Sequence, residues 1–140
     1  MGQPTVLPAQ GATQDISRDQ WIKFLDEFTR QNRGAHAQLE VLGADPGRFV
    51  EIEDRPFDGI SADVKDGEDA VWMLFGSTPE DRLTHGIQSV TAIRVRPPAG
   101  RAGAALEVES ADGTRTLLEL SRPEDYALPP ATLQNPRKGG

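Results

Sequence analysis

Residues 16–34 read ISRDQWIKFLDEFTRQNRG, and the fold class follows from this stretch. Ser17 followed by Gln20 forms a capping-box pattern, and Ile16 stands at the staple position to meet Trp21. Trp21, Ile22, Phe24, Leu25 and Phe28 then recur at helical spacing, which leaves Lys23, Asp26 and Glu27 on the wet side. Gly34 supplies a stop after Arg33, so the spacing predicts a helix over about 18–32. Its aromatic stripe reads as core packing rather than a ligand box. A helix with that much apolar face must lie on something, and the rest of the chain offers only strands.

Those strands show period-two alternation with turn residues between them. HAQLEV (36–41) and RFVEIE (48–53) come first, followed by GISADV (59–64) and the wholly apolar AVWMLF (70–75). VTAIRV (90–95), AALEVES (104–110) and RTLLEL (115–120) complete the set. The short spacings favour antiparallel neighbours, because a parallel crossover needs a dozen or more residues. The expectation is an α+β domain, one N-terminal helix on an antiparallel sheet of about five to seven strands. Closure into a small or half-open barrel stays open as an alternative. In the last hairpin a two-residue loop at Asp112-Gly113 would put Leu118 and Leu120 on the face of Glu107 and Glu109. A three-residue loop, Ala111-Asp112-Gly113 with Gly113 left-handed, instead pairs Val108 with Thr116 and Leu106 with Leu118, and this register is predicted.

The 140 residues suit one domain. Residues 1–15 and 121–140 hold six of the eleven prolines among small polar residues, and read as flexible tails around a core of 16–120. With 36% apolar and 26% charged residues the chain lies in the ordinary globular range. No apolar run is long enough to span a bilayer, and no basic segment leads into an apolar one at the start, so a cytoplasmic protein off the membrane is expected. The absence of cysteine removes disulfides, thiolate metal sites and a cysteine nucleophile. A net charge of −7 argues against nucleic-acid binding, where affinity comes from Lys and Arg on phosphates. Residues 40–81 are acidic, whereas Arg82, Arg94, Arg96 and Arg101 stand in a stretch without acids. Cross-strand pairing of Glu51 and Glu53 with Arg94 and Arg96 is the simplest account.

The order of capped helix, PFDGI (56–60), LTHGI (83–87) and ALEVESADGTRTLLEL (105–120) resembles a family of short bacterial proteins known only as a domain of unknown function. That resemblance implies no activity, cofactor or catalytic residue. Arg55 to Ile60 and His85 to Ile87 are the two places where its pattern is not explained by packing. Arg55, Asp58 and His85 are therefore the candidate binding residues.

His85 precedes Gly86 in what reads as a loop, and no Ser/His/Asp constellation accompanies it. His36 is read as an interaction with the helix C-terminus. DVKDGED (63–69) lacks the spacing of a calcium loop and reads as a hairpin turn at Asp66-Gly67, with Glu68 and Asp69 solvated. Glycines at 43–47 and 97–103 form neither a dinucleotide fingerprint nor a Walker loop. Glu107 and Glu109 read as an outward-facing pair. No metal or cofactor is expected.

Three classes of function follow. The first is a non-catalytic protein-interaction module with a protein partner or a homodimer, acting through a sheet edge or the Arg55 to Ile60 and His85 region. The second is a ubiquitin-like modifier or sulfur carrier with carboxyl-terminal attachment at Gly140, since the chain ends RKGG; a helix-first fold counts against it. The third is a small-molecule binder or small enzyme with a pocket between helix and sheet.

Overall fold

The computed structural model describes residues 13–43, 48–97 and 103–121. Its elements are β1 (Gln14–Ile16), a 3-10 turn (Arg18–Gln20), α1 (Trp21–Asn32), β2 (His36–Leu42), β3 (Arg48–Asp63) and β4 (Ala70–Phe75). A second 3-10 turn (Pro79–Asp81), β5 (Leu83–Ile87), β6 (Val90–Arg96), β7 (Ala104–Ser110) and β8 (Arg115–Ser121) follow. The eight strands form one antiparallel sheet in the order β1-β6-β7-β8-β2-β3-β4-β5.

The 3-10 turn and α1 together cover the predicted helix, but the start is built differently. Gln20 N–H donates to Ser17 O (2.8 Å), an i to i+3 bond, and the Ser17 hydroxyl donates to Asp19 Oδ1 (2.8 Å) rather than capping the helix. Ile16 packs on the core, and its carbonyl accepts Trp21 Nε1–H (2.9 Å). Trp21, Leu25 and Phe28 are buried, whereas Ile22 is exposed and stands outside the apolar face. At the C-terminal end Gly34 takes φ +92°, and its N–H crosses to Phe57 O (2.8 Å).

Strand β3 joins two runs that the sequence reading separates. Before the bend it pairs with β2 as far as His36↔Pro56, and after it with β4 from Phe57↔Phe75. Asp54 sits near the bend in the left-handed region (φ 60°), with register shifts on either side. Beyond Pro56 one edge of β3 has lost β2, and α1 covers it. Thr29 Oγ1 accepts Ile60 N–H and donates to Ile60 O, both at 3.0 Å, while Arg33 Nε donates to Asp58 O (3.0 Å). Gly59 lies beneath Thr29, where a Cβ would already touch Cγ2 at 3.4 Å.

The sheet is strongly curled. Strands β5 and β6 are joined only by Gln88 and Ser89, yet β5 is last in the strand order and β6 second, so the two sides of the sheet must approach at this corner. Val90 N–H donates to Asp69 O (2.9 Å) across it. The order nevertheless begins at β1 and ends at β5, so the sheet is open and not a closed barrel. Inside the curl lie Phe57, Phe75, Met73, Leu39, Ile93, Leu106, Val108, Leu118 and Leu120, all buried. Phe28, Phe57 and Phe75 form an edge-to-face series with centroids 6.0 and 6.3 Å apart, linking α1 to β3 and β4.

The last hairpin has the predicted register, Val108↔Thr116 and Leu106↔Leu118, with Gly113 at φ +90°. Other expectations are corrected. Three strands separate β3 from β6, so Arg94 and Arg96 are not ladder neighbours of Glu51 and Glu53. Their partners are on β7 and β1: Arg94 reaches Glu107, Glu109 and Asp15 at 2.8 Å, and Arg96 reaches Glu107 at 2.9 Å. Glu107 is thereby buried rather than solvated. Asp69 is buried too, because Arg18 forks onto its two oxygens at 2.6 and 2.9 Å. His36 Nδ1 lies 2.6 Å from Asp54 Oδ1 across the β2–β3 ladder, not against the helix end.

Candidate functional site

Among the described residues, backbone with a ladder partner on one side only includes the 48–55 part of β3, which meets β2 but not β4, and three further stretches, of which two are guarded. The part of β3 beyond Pro56 lies under α1. The β1 edge is three residues long and carries Asp15, paired with Arg94 Nε at 2.8 Å, a charged and truncated end of the kind that resists further pairing. The third place is the outer edge of β5. It is five residues long, LTHGI, without Lys, Arg, Asp, Glu or Pro, and among the described residues it has a ladder partner on one side only.

The pairings Phe75↔Leu83, Met73↔His85 and Val71↔Ile87 put Leu83, His85 and Ile87 on the concave face. Thr84 and Gly86 face the convex side, beside Leu74 and Trp72. Trp72 is 38% exposed and Leu83 39%. The indole lies over Gly86: a Cβ there would stand 2.4 Å from Trp72 Cζ3 and 2.8 Å from Cε3. Only glycine lets the ring reach the rim of the sheet, so an aromatic face lies next to the open backbone edge.

Arg55 and Asp58 are brought together at the entrance to β5. Arg55 Nη1 donates to Asp81 Oδ1 (2.9 Å), while Asp58 pairs with Arg82 Nη1 (3.1 Å) and with Arg33 Nε (3.7 Å). These bonds bind the Pro79–Asp81 turn and Arg82 to β3, which fixes where β5 begins. Their charges are thus engaged within the fold.

His85 is not in a loop. It is a half-buried strand residue on the concave face of β5, apart from the Arg55 and Asp58 group. It lines a cleft of about 450 Å³ between β5, the Gln88-Ser89 corner and the β7–β8 hairpin. Ser89 takes φ 54° at that corner, and its carbonyl accepts Ala111 N–H (2.8 Å). Among the described residues, no three His, Cys, Asp or Glu side chains gather to hold a metal, and no helix is long and apolar enough to cross a membrane. Gly139 and Gly140 lie outside the described residues.

Trp72 is the residue that sequence reasoning missed as a surface group. The run AVWMLF reads as uniformly buried, although strict alternation with Val71, Met73 and Phe75 inward already places Trp72 outward.

One curated relative, an uncharacterized protein of Aquifex aeolicus (strain VF5), is 31% identical over 109 residues, covering 78% of this chain and 92% of the relative. No solved structure matches. A family of unknown function, DUF5335, matches residues 12–129, a span that holds every described strand and the helix, and the chain belongs to that family.

Proposed function

We propose that the chain is a non-catalytic protein-interaction module that takes an extended segment of a partner protein onto the β5 edge by strand addition. The observation that carries this is the contrast between two guarded edges and an uncharged, open one with Trp72 beside it. Main-chain hydrogen bonds along Leu83–Ile87 would supply affinity, and an apolar side chain resting on the Trp72 ring would supply selectivity. The net charge of −7 favours a segment flanked by Lys or Arg. The same charge opposes pairing between two copies. A cytoplasmic setting belongs to the same proposal.

Selection from a displayed library of random peptides tests it. Enriched peptides should carry alternating β-branched or aromatic residues with a basic flank. They should bind Thr84→Lys about tenfold more weakly, because a lysine at the rim repels the basic flank. Peptides that bind Thr84→Lys as well as the parent chain, or a concentration-dependent dimer with no peptide bound, would contradict the reading.

A further inference from the structure

The cleft beside His85 contains a group that the fold leaves unsatisfied. Thr116 is 2% exposed, lines the cleft, and its hydroxyl has no hydrogen-bond partner among the described residues. Its ladder neighbours are Val41 and Val108, which offer no side-chain acceptor. A buried hydroxyl without a partner is destabilising, and native proteins keep few of them. On a strand that otherwise sends Leu118 and Leu120 into the core, a valine would fit the pattern better.

The cleft is the open end of the curled sheet, the kind of place where barrels and half-barrels hold small molecules. Its polar groups converge from two sides: His85 and Gln88 from β5 and the corner, Ser110 and Asp112 from the hairpin. The walls are fixed, because Ala111 N–H holds Ser89 O at 2.8 Å and Ser110 N–H holds Thr114 O at 2.9 Å. Val41 and Ile87 add an apolar wall. Among the described residues no Lys or Arg lines the cleft, so a phosphate or carboxylate finds no permanent cation among them. Asp112 accepts Thr114 N–H (2.9 Å), which keeps its carboxyl below the usual range and an acceptor at neutral pH. Hydroxyls, an amide, an imidazole and one carboxylate form a lining that both donates and accepts.

We propose that this cleft binds a small neutral polyhydroxylated molecule, with the Thr116 hydroxyl bonded to one of its hydroxyls and its C–H face against Val41 and Ile87. The proposal is independent of strand addition at the β5 edge, since it uses the concave side of the sheet.

The test is titration of the isotope-labelled full chain with myo-inositol, followed by amide chemical shifts, beside parallel titrations with inorganic phosphate and methylammonium. Saturable shifts confined to residues 85–89 and 110–116 with myo-inositol alone are expected. Thr116→Val, which removes the hydroxyl at constant shape, should bind about tenfold more weakly, the loss expected for one uncharged hydrogen bond. Its unfolding temperature should be no lower than that of the parent chain, which separates lost binding from lost folding, and Thr116→Ser should restore binding. Absence of saturable shifts with myo-inositol, the same shifts with phosphate or methylammonium instead, or unchanged binding by Thr116→Val would each overturn the proposal.

Discussion

The indole of Trp72 lies over Gly86 on the neighbouring edge strand, so close that a Cβ at residue 86 would stand 2.4 Å from Cζ3. Ring and glycine are directly paired across β4 and β5. Gly86→Ala must therefore push the ring off the edge. Because the ring is part-exposed and free to swing outward, the cost should be near the low end for overpacking, roughly 1 kcal/mol. Tryptophan fluorescence should shift to the red in a chain that remains folded, since Trp21 stays buried. An unchanged spectrum would mean that the ring does not rest on Gly86.

Glu107 ties β7 to β6 on the outer face of the sheet. Its carboxylate meets Arg94 at 2.8 Å and Arg96 at 2.9 Å, and only 6% of its side chain is exposed. Truncation removes the anion that the two guanidinium groups share, while Arg94 keeps Glu109 and Asp15. Glu107→Ala should cost roughly 1.5 kcal/mol in denaturant unfolding, the scale of a hydrogen bond to a charged group. Glu27→Ala, which removes an exposed helical pair with Arg30, should change stability by less than about 0.5 kcal/mol.

Acid sensitivity should centre on Asp69. The hydrogen bond from Arg18, assisted by Lys65 N–H, holds its carboxyl below the usual range in the folded chain. A depressed folded pKa gives stability that is fully present above the unfolded value and lost as the pH falls through the folded one. The loss should therefore appear below about pH 4. Asp69→Asn should be less stable than the parent chain at neutral pH and should lose less stability between neutral and acid pH. Urea unfolding across that range measures both. Equal acid slopes for the two chains would mean that the Arg18 pair does not set the dependence.

Gly113 fixes the β7–β8 hairpin. At φ +90° a side chain is strained even though nothing crowds the position. Gly113→Val should cost about 1 kcal/mol or more in unfolding free energy, whereas Asp112→Ala loses only the bond to Thr114 N–H. A neutral Gly113→Val would contradict the three-residue loop.

The hairpin register was legible because both of its faces are constrained. Leu106, Val108, Leu118 and Leu120 must share the core side, and only one loop length allows it with Gly113 left-handed. The helix was legible for a similar reason, since one apolar stripe ends at a glycine. What stayed hidden depends on residues far apart in sequence. LTHGI has too few apolar residues to announce a strand, and becomes one because Val71 to Phe75 supplies a ladder. The Asp54 bend that makes one strand of two runs has no apolar signature. Burial of Glu107 and Asp69 comes from arginines 11 to 51 residues away, which alternation along a single strand does not reveal. Of the candidate residues, Arg55 and Asp58 meet at the start of β5, whereas His85 lies in a cleft whose other wall comes from the distant hairpin.

Amide hydrogen exchange with a selected peptide bound tests strand addition most directly. The account predicts new protection at those amides of Leu83–Ile87 that point away from β4, with no change along β1. Protection that appears elsewhere while the β5 edge continues to exchange freely would contradict it.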